Sequence, residues 1–256
     1  MIIPQEDTNL LLEGDCIKWM RELPDKSINM ILCDLPYGTT TCKWDIIIDF
    51  KKLWGQYKRI IKDNGAIVLT ASQPFTSALI MSNINDFKYE IIWEKEKPSN
   101  FGFAKYGIMK YHESIIVFGN GRLTYNPQMT IGKPNHSVGK GIRKKNNESG
   151  ANTTVVKNKI DGLKHPKSII KINRESKPIH PTQKPVALME YLIKTYTNEG
   201  DLVLDNCMGS GTTGVASKNL NRNFIGIELD EKYFEIAKKR IENTTSFLNN
   251  TKEAVE

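Results

Sequence analysis

Asp201-Leu-Val-Leu-Asp205-Asn-Cys-Met-Gly209-Ser-Gly211-Thr-Thr-Gly214 lies in the last quarter of this 256-residue chain. Residues 202–205 read as a buried strand and residues 212–220 as a helix. Gly209, Gly211 and Gly214 therefore fit GxGxxG in the strand–turn–helix setting that lets backbone approach a ligand closely. Residues 224–228 form the next apolar run, and Glu228 ends it about twenty residues on, where an acid would hold ribose hydroxyls. No lysine precedes Thr212 or Thr213, which excludes a phosphate-binding P-loop. Position decides the fold. Beyond Glu228 come one helical segment, residues 232–241, and a polar tail after Asn243. An open sheet built on this turn must take its remaining strands from the N-terminal half, in a rotated order.

That half supplies them. Residues 10–12 are a short strand ending at Gly14-Asp15, followed by a helix over 16–23 that Pro24 stops. Residues 28–33 read as a buried strand and residues 66–70 as a continuous apolar one, with a helix over 50–62 between them that ends at Asn64-Gly65. A helix over 74–81 starts with proline near its first turn. Residues 89–93 and 114–118 are β-branched and aromatic runs, hence strands. Residues 186–196 form a periodic helix with Leu188, Tyr191 and Leu192 on one face. Apolar strands alternating with helices specify an α/β, Rossmann-like sheet covered on both faces.

The strand over 28–33 leads into Asp34-Leu35-Pro36-Tyr37-Gly38. A carboxylate, a proline and an aromatic ring at a strand's carboxyl end make a polar pocket with a flat apolar wall. Such a pocket suits a planar ring carrying an exocyclic amine, such as a nucleobase. The same five residues also make an ordinary turn. Asp205, directly before the glycines, departs from the Gly-first turn of dinucleotide folds and suits a cofactor bearing an ammonium group. A nicotinamide-dependent oxidoreductase is the rival reading of GxGxxG with Glu228.

Charge is unevenly spread. The chain carries a net +7, yet residues 122–174 hold twelve Lys and Arg against only Glu148 and Asp161. The remainder has 24 basic and 27 acidic residues. The basic segment is rich in Gly, Asn and Ser, which fits an insert that meets a polyanion, most simply a nucleic-acid backbone. A hydrophobic content of 39% and a charged content of 25% are those of a globular protein. No apolar run approaches the roughly 20 residues that span a bilayer. The N-terminal residues lack a basic-then-apolar leader. Cys16, Cys33, Cys42 and Cys207 show no CxxC spacing and no nearby histidines, which argues against a metal site and fits a cytoplasmic setting.

Three ordered motifs together resemble the amino-group DNA methyltransferases. They are Asp34-Leu35-Pro36-Tyr37 (family pattern D-P-P-Y), His180-Pro181-Thr182-Gln183-Lys184-Pro185, and Asp205-Asn206-Cys207-Met208-Gly209-Ser210-Gly211-Thr212 (pattern D-P-F-x-G-S-G-T). With the catalytic motif first and the cofactor motif last, the order is similar to the permuted β group. Leu35 for the first proline and Asn206-Cys207 for Pro-Phe are mild departures. The resemblance implies a circularly permuted S-adenosylmethionine-dependent methyltransferase sheet. Residues 1–120 would be the catalytic half, 121–175 a basic target-recognition insert and 176–256 the cofactor half.

The resemblance also implies roles. The Asp34 side chain and the Leu35 carbonyl would accept hydrogen bonds from the target amine, Pro36 would stiffen the turn, and Tyr37 would stack on the base. For S-adenosylmethionine, Glu228 would hold the ribose, Asp15 with Cys16 beside it would meet the adenine, and Asp205 the ammonium. Thr182 and Lys184 would lie near its carboxylate, and the backbone from Gly209 through Gly211, Thr212 and Thr213 beside its methionyl part. His180 is expected to be structural, and Trp93 and His112-Glu113 to be core and pocket edge. An Asp at the head of the motif favours adenine N6 over cytosine N4. Arg143, Lys144, Lys145, Lys157 and Lys159 are the candidates for contacting double-stranded DNA. A homodimer, a cognate restriction endonuclease, and a bacterial or phage origin are the partners and source the resemblance suggests.

Overall fold

The computed structural model describes residues 9–38, 45–132, 162–175, 179 and 183–244. Two compact units are present, one of residues 1–126 with 168–256 and one of residues 127–167. In the larger unit, eight strands form one sheet. They are β1 (Asn9–Glu13), β2 (Ile28–Asp34), β3 (Ile61–Ala71), β4 (Phe87–Glu94), β5 (His112–Phe118), β8 (Ile169–Lys171), β9 (Leu202–Asp205) and β10 (Asn223–Glu228). Their order is β1-β10-β9-β2-β3-β5-β4-β8. The pairs from β1 through β10, β9 and β2 to β3 are all parallel, and β5 runs antiparallel to β3 and β4. The last two long strands of the chain thus lie between its first two, which is the rotated order expected from the position of the Gly-rich turn.

Alternate residues of each central strand feed opposite cores, so the strands read as unbroken apolar runs. Ile31 and Cys33 of β2, with Ile67 and Leu69 of β3, pack against α1 (Cys16–Glu22), α2 (Phe50–Ile60) and α3 (Phe75–Ser82). Met30 and Leu32, with Ala66 and Val68, pack against α4 (Val186–Tyr196), α5 (Thr212–Asn219) and α6 (Glu231–Glu242). Asp15, Asp49 and Asp230 start α1, α2 and α6 by accepting hydrogen bonds from the backbone N–H three residues on.

Two local expectations differ. β3 starts at Ile61, directly after α2, so Asn64-Gly65 lies inside a strand rather than between elements. A register shift against β2 between Ile28 and Met30 absorbs the extra residues. β8 was not expected. It is three residues long and pairs in parallel with β4, and only that partner makes the short run a strand. In the smaller unit, β6 (Thr130–Ile131) pairs antiparallel with β7 (Leu163–Lys164). Among the described residues no helix is long and apolar enough to cross a membrane.

Candidate active site

The parallel strands carry four acids to one edge of the sheet: Asp15 just past β1, Glu228 on β10, Asp205 on β9 and Asp34 on β2. Connections leave β9 and β2 in opposite directions, and ligands of open α/β sheets bind in the crevice such a switch opens. The edge divides into a glycine-rich turn and a cluster of charged side chains around Asp34.

The Gly-rich turn is built by its own side chains. Gly209 and Gly211 have φ of +52° and +78°, a region that glycine enters without strain. A Cβ on Gly209 would meet nothing within 4 Å, so that side of the turn is open, whereas one on Gly211 would meet Ala237 at 3.0 Å. Glu228 holds the turn from β10. One carboxylate oxygen accepts from Gly209 N–H at 2.8 Å and the other from Asp230 N–H at 2.9 Å. Burial raises its pKa. Asp205 is almost fully buried, and its oxygens accept from Cys207 N–H at 3.1 Å and from the Thr213 hydroxyl at 2.6 Å. Burial pushes its pKa up to about 6, against the opposing pull of those hydrogen bonds.

The hydroxyls of Thr212 and Thr213 therefore face protein groups. Thr212 accepts from Arg240 of α6 at 3.0 Å, and the same guanidinium donates to the Ser210 carbonyl at 3.1 Å. Arg240 is a brace that no sequence motif marked. Asn206, the departure from the family's proline, is locked by a 2.5 Å hydrogen bond from the Tyr57 hydroxyl. Asp15 caps α1 through one oxygen, 2.8 Å from Lys18 N–H. Cys16, half-buried beside it, lies with Cys33 against the Cys207 thiol beneath the turn.

Asp34 sits in a different environment. Its Oδ1 accepts from the Tyr37 hydroxyl at 2.6 Å and from the Thr70 hydroxyl, and its Oδ2 from Lys184 Nζ at 2.6 Å. Leu35 is buried, and Pro36 and Tyr37 are half-buried. Gly38 N–H donates to Asp45 Oδ1 at 2.8 Å, closing the motif's turn. The Tyr37 ring stacks on Phe75, with centroids 5.1 Å apart and planes at 30°, so one of its faces is taken by the protein. Burial, then the charge of Asp34, raises the Tyr37 pKa well above its ordinary value and keeps the hydroxyl a donor.

Lys184 was expected beside the cofactor carboxylate. In the structure its ammonium reaches Asp34 and, at 3.3 Å, Glu113 Oε2. The reason is burial, since only 7% of the residue is exposed and a cation so enclosed needs counter-charges. Burial alone would lower its pKa, but Asp34, Tyr37 and Glu113 hold it well above the usual lysine value. Glu113 is completed by Lys95, whose Nζ is 2.8 Å from Oε1. The two lysines outweigh burial and lower the Glu113 pKa. Glu113, expected at the pocket edge, bridges two buried lysines. Thr70 and Lys95, and the bridging role of Glu113, escaped sequence reasoning because β3, β4 and β5 bring them together only through pairing. Trp93 is core, as expected, donating to the Ile172 carbonyl at 2.8 Å. His180 and Thr182, and Arg143, Lys144, Lys145, Lys157 and Lys159, lie outside the described residues.

A carboxylate has about four acceptor positions, and three donors occupy those of Asp34. The cluster thus fixes an acceptor and leaves it room for one more donor. With an open glycine turn on the neighbouring strand, the edge can hold a flat amine-bearing ring beside a ligand with ribose and ammonium groups.

Known proteins agree with this geometry. A family model described as DNA methylase, of the N6/N4 methyltransferase type, matches residues 28–239. The type II methyltransferase M.HpaI of Haemophilus parainfluenzae is 31% identical over 249 residues, covering 91% of this chain and 74% of the relative. M2.MboI of Moraxella bovis is 29% identical, covering 96% of this chain and 92% of the relative. Among solved structures, the M1.HpyAVI–SAM complex superposes with a TM-score of 0.62 at 28% identity, covering 91% of this chain and 99% of that one. The cytosine-N4-specific PvuII DNA methyltransferase shares the fold, with a TM-score of 0.65 at 16% identity over 97% of this chain and 92% of that one. These matches displace the nicotinamide reading of the glycine turn: the chain belongs to the N6/N4 DNA methylase family.

Proposed function

We propose that this protein transfers a methyl group from S-adenosylmethionine to the N6 amine of adenine at a specific site in double-stranded DNA. The observation that carries the reading is the Asp34 carboxylate at the end of β2, oriented by three donors and with one acceptor position left. An adenine amine is a poor nucleophile because its lone pair is delocalised into the ring. Asp34 and the Leu35 carbonyl accept hydrogen bonds from its two N–H groups, hold the nitrogen as it becomes tetrahedral and stabilise the positive charge it gains with the methyl, until the nitrogen gives up one proton to solvent. Asp34 acts as a fixed acceptor, since a carboxylate is far too weak a base to deprotonate the amine beforehand. The Tyr37 ring, stacked on Phe75 and with the Lys184 ammonium 5.7 Å from its centroid, would line the wall the base meets, and the base must leave the duplex stack to reach it.

S-adenosylmethionine fits the residues present, and when bound it supplies an electrophilic methyl group. The open side of Gly209 supports a ligand passing beside the turn, and the buried Glu228 carboxylate keeps lone pairs for ribose hydroxyls. Asp205 would meet the ammonium through lone pairs that Cys207, Thr213 and the Cys33 thiol leave free. Asp15 keeps one oxygen for the cofactor's adenine, with Cys16 at its side. Thr182 remains assigned to the methionyl carboxylate, with Lys184 shared between that group and Asp34.

In this reading residues 1–120 and 176–256 are the two functional halves around a recognition segment at 121–175. Arg143, Lys144, Lys145, Lys157 and Lys159 supply that segment's phosphate contacts. We place the enzyme in a bacterial cytoplasm, in a restriction–modification setting with a cognate endonuclease, and as a homodimer. Long-read sequencing of DNA from a methylation-free bacterial host expressing the protein tests the reading. N6-methyladenine at one recurrent sequence is the expected result. N4-methylcytosine there would overturn the choice of base, and unmodified DNA would overturn the activity.

A further inference from the structure

The catalytic cluster does not end at the sheet. Lys95, which anchors Glu113, opens a loop over residues 95–111 that connects β4 to β5. β5 pairs antiparallel with β3, Ala71 opposite Ser114, so the roots of this loop stand at the same edge as Asp34. Lys95 N–H donates to the Tyr111 carbonyl at 2.7 Å and closes the loop's neck. Lys110 reaches Ser72, the residue after β3.

Beyond the neck the loop is ordered by its own bonds. Asn100 spans it, accepting from Lys110 N–H at 2.6 Å and donating to the Ile108 carbonyl at 3.3 Å. A 3₁₀ turn over Phe101–Phe103 follows, and Tyr106 and Gly107 N–H both donate to the Phe103 carbonyl. A Cβ on Gly107 would lie 2.6 Å from Phe103 Cε1, so glycine is what lets that ring fold over the turn.

Four large apolar side chains of this braced loop are exposed. Phe101 is 75% exposed, Phe103 53%, Tyr106 78% and Ile108 95%. Phe103 and Tyr106 form a ring pair with centroids 5.9 Å apart. Residues 97–111 contain three lysines and no acid. Aromatic rings interleaved with cations on a preformed surface suit unstacked bases and phosphates. A second copy of the same loop is a poor partner, because two such surfaces would oppose lysine to lysine.

We propose that the loop over residues 97–111 is a DNA-docking element distinct from the basic insert. Phe101, Phe103 and Tyr106 stack on bases beside the extruded target, and Lys97 and Lys105 face the adjoining phosphates. The neck then joins the opened stack to Asp34 through Lys95, Glu113 and Lys184. This rests on the reading of the chain as a DNA methyltransferase that extrudes its base.

The test uses the full-length chain and two duplexes that carry the modified sequence found by sequencing, one with the target base normally paired and one with it opposite an abasic site. Single-turnover methyl transfer is measured for the wild type and for the triple variant Phe101→Ala, Phe103→Ala, Tyr106→Ala. The loss on the paired duplex should exceed the loss on the abasic-opposed one by about tenfold or more, the size expected for stacking on a base. Phe101→Ala alone, at a largely exposed position, should show the same preference more weakly and guards against misfolding of the triple variant. Lys97→Gln with Lys105→Gln should lower the slope of log affinity against log salt by about two. Equal rates for variants and wild type on both duplexes, or equal losses on both, would overturn the loop's role. A wild type that methylates neither duplex would sink the methyltransferase reading itself.

Discussion

Asp34 and Asp205 end neighbouring parallel strands, β2 and β9, at the same edge of one sheet. The fold treats them oppositely. Asp34 keeps about a quarter of its side chain exposed and has an ammonium 2.6 Å away. Asp205 is 3% exposed and is held by a hydroxyl and a backbone N–H. One acid is thereby a partly exposed acceptor paired with an ammonium, and the other, with its pKa raised to about 6, a buried pin for a glycine turn. Residue type and place in the strand are shared, so the difference comes from what neighbouring elements bring to each carboxylate.

Removing each carboxylate's function in turn is the sharpest way to break this contrast. Asp34→Ala should reduce methyl transfer by about 10³-fold, the scale of losing a preorganised polar group at a centre of developing charge. Its Kd for S-adenosylmethionine, read by calorimetry, should stay within about twofold of wild type. Tritium transfer from labelled cofactor at an undiminished rate would remove Asp34 from the chemistry.

Lys184→Met probes the environment that sets Asp34 apart. Truncating one member of a buried ion cluster strands the others, and a loss of about 3 kcal/mol in unfolding free energy is expected. Adding Glu113→Gln removes one of the stranded charges and should restore part of that stability, which urea melts of the single and double variants will show. Strictly additive losses would mean that Lys184 and Glu113 are not coupled.

The smallest effect concerns Asp205 and pH. Its folded pKa of about 6 lies above the ordinary value of about 4. The folded state therefore binds this proton more tightly than the unfolded chain does. Asp205 costs stability above pH 6, and that cost is relieved as the pH falls from about 6 towards 4. Cofactor affinity should move the other way, since the ammonium needs the ionised carboxylate and binding should weaken several-fold as the pH drops below about 6. Asp205→Asn should bind less tightly and show a flat profile over that range. An unchanged pH profile in the variant would confine Asp205 to pinning the turn.

The order of elements was legible because it rests on local signals. Apolar runs, capping aspartates and glycines that tolerate left-handed backbone act within a few residues of themselves. The place of the Gly-rich turn after the Asp34 strand pointed to a rotated strand order, and the sheet shows one, with β10 and β9 between β1 and β2. The motif residues Asp34, Asp205, Gly209 and Glu228 were legible for the same reason, since each marks the end of a strand or the turn after one. β8 was not, because a three-residue strand exists only through its partner.

The partners of the motif residues were decided by tertiary structure alone. Lys184 stands 150 residues from Asp34 in the chain, and nothing near either announces the 2.6 Å contact between them. Glu113 looked like a pocket-edge residue until antiparallel pairing of β5 placed it between Lys95 and Lys184. Thr70 reads as the last residue of an apolar strand and becomes a donor to Asp34 only because β2 and β3 pair in register. The sequence by itself determined which acids reach the carboxyl edge, because strand ends are local events. Packing decided which of them carries a counter-charge and which is buried with neutral donors, because electrostatic environment is a sum over elements that only the folded chain brings together.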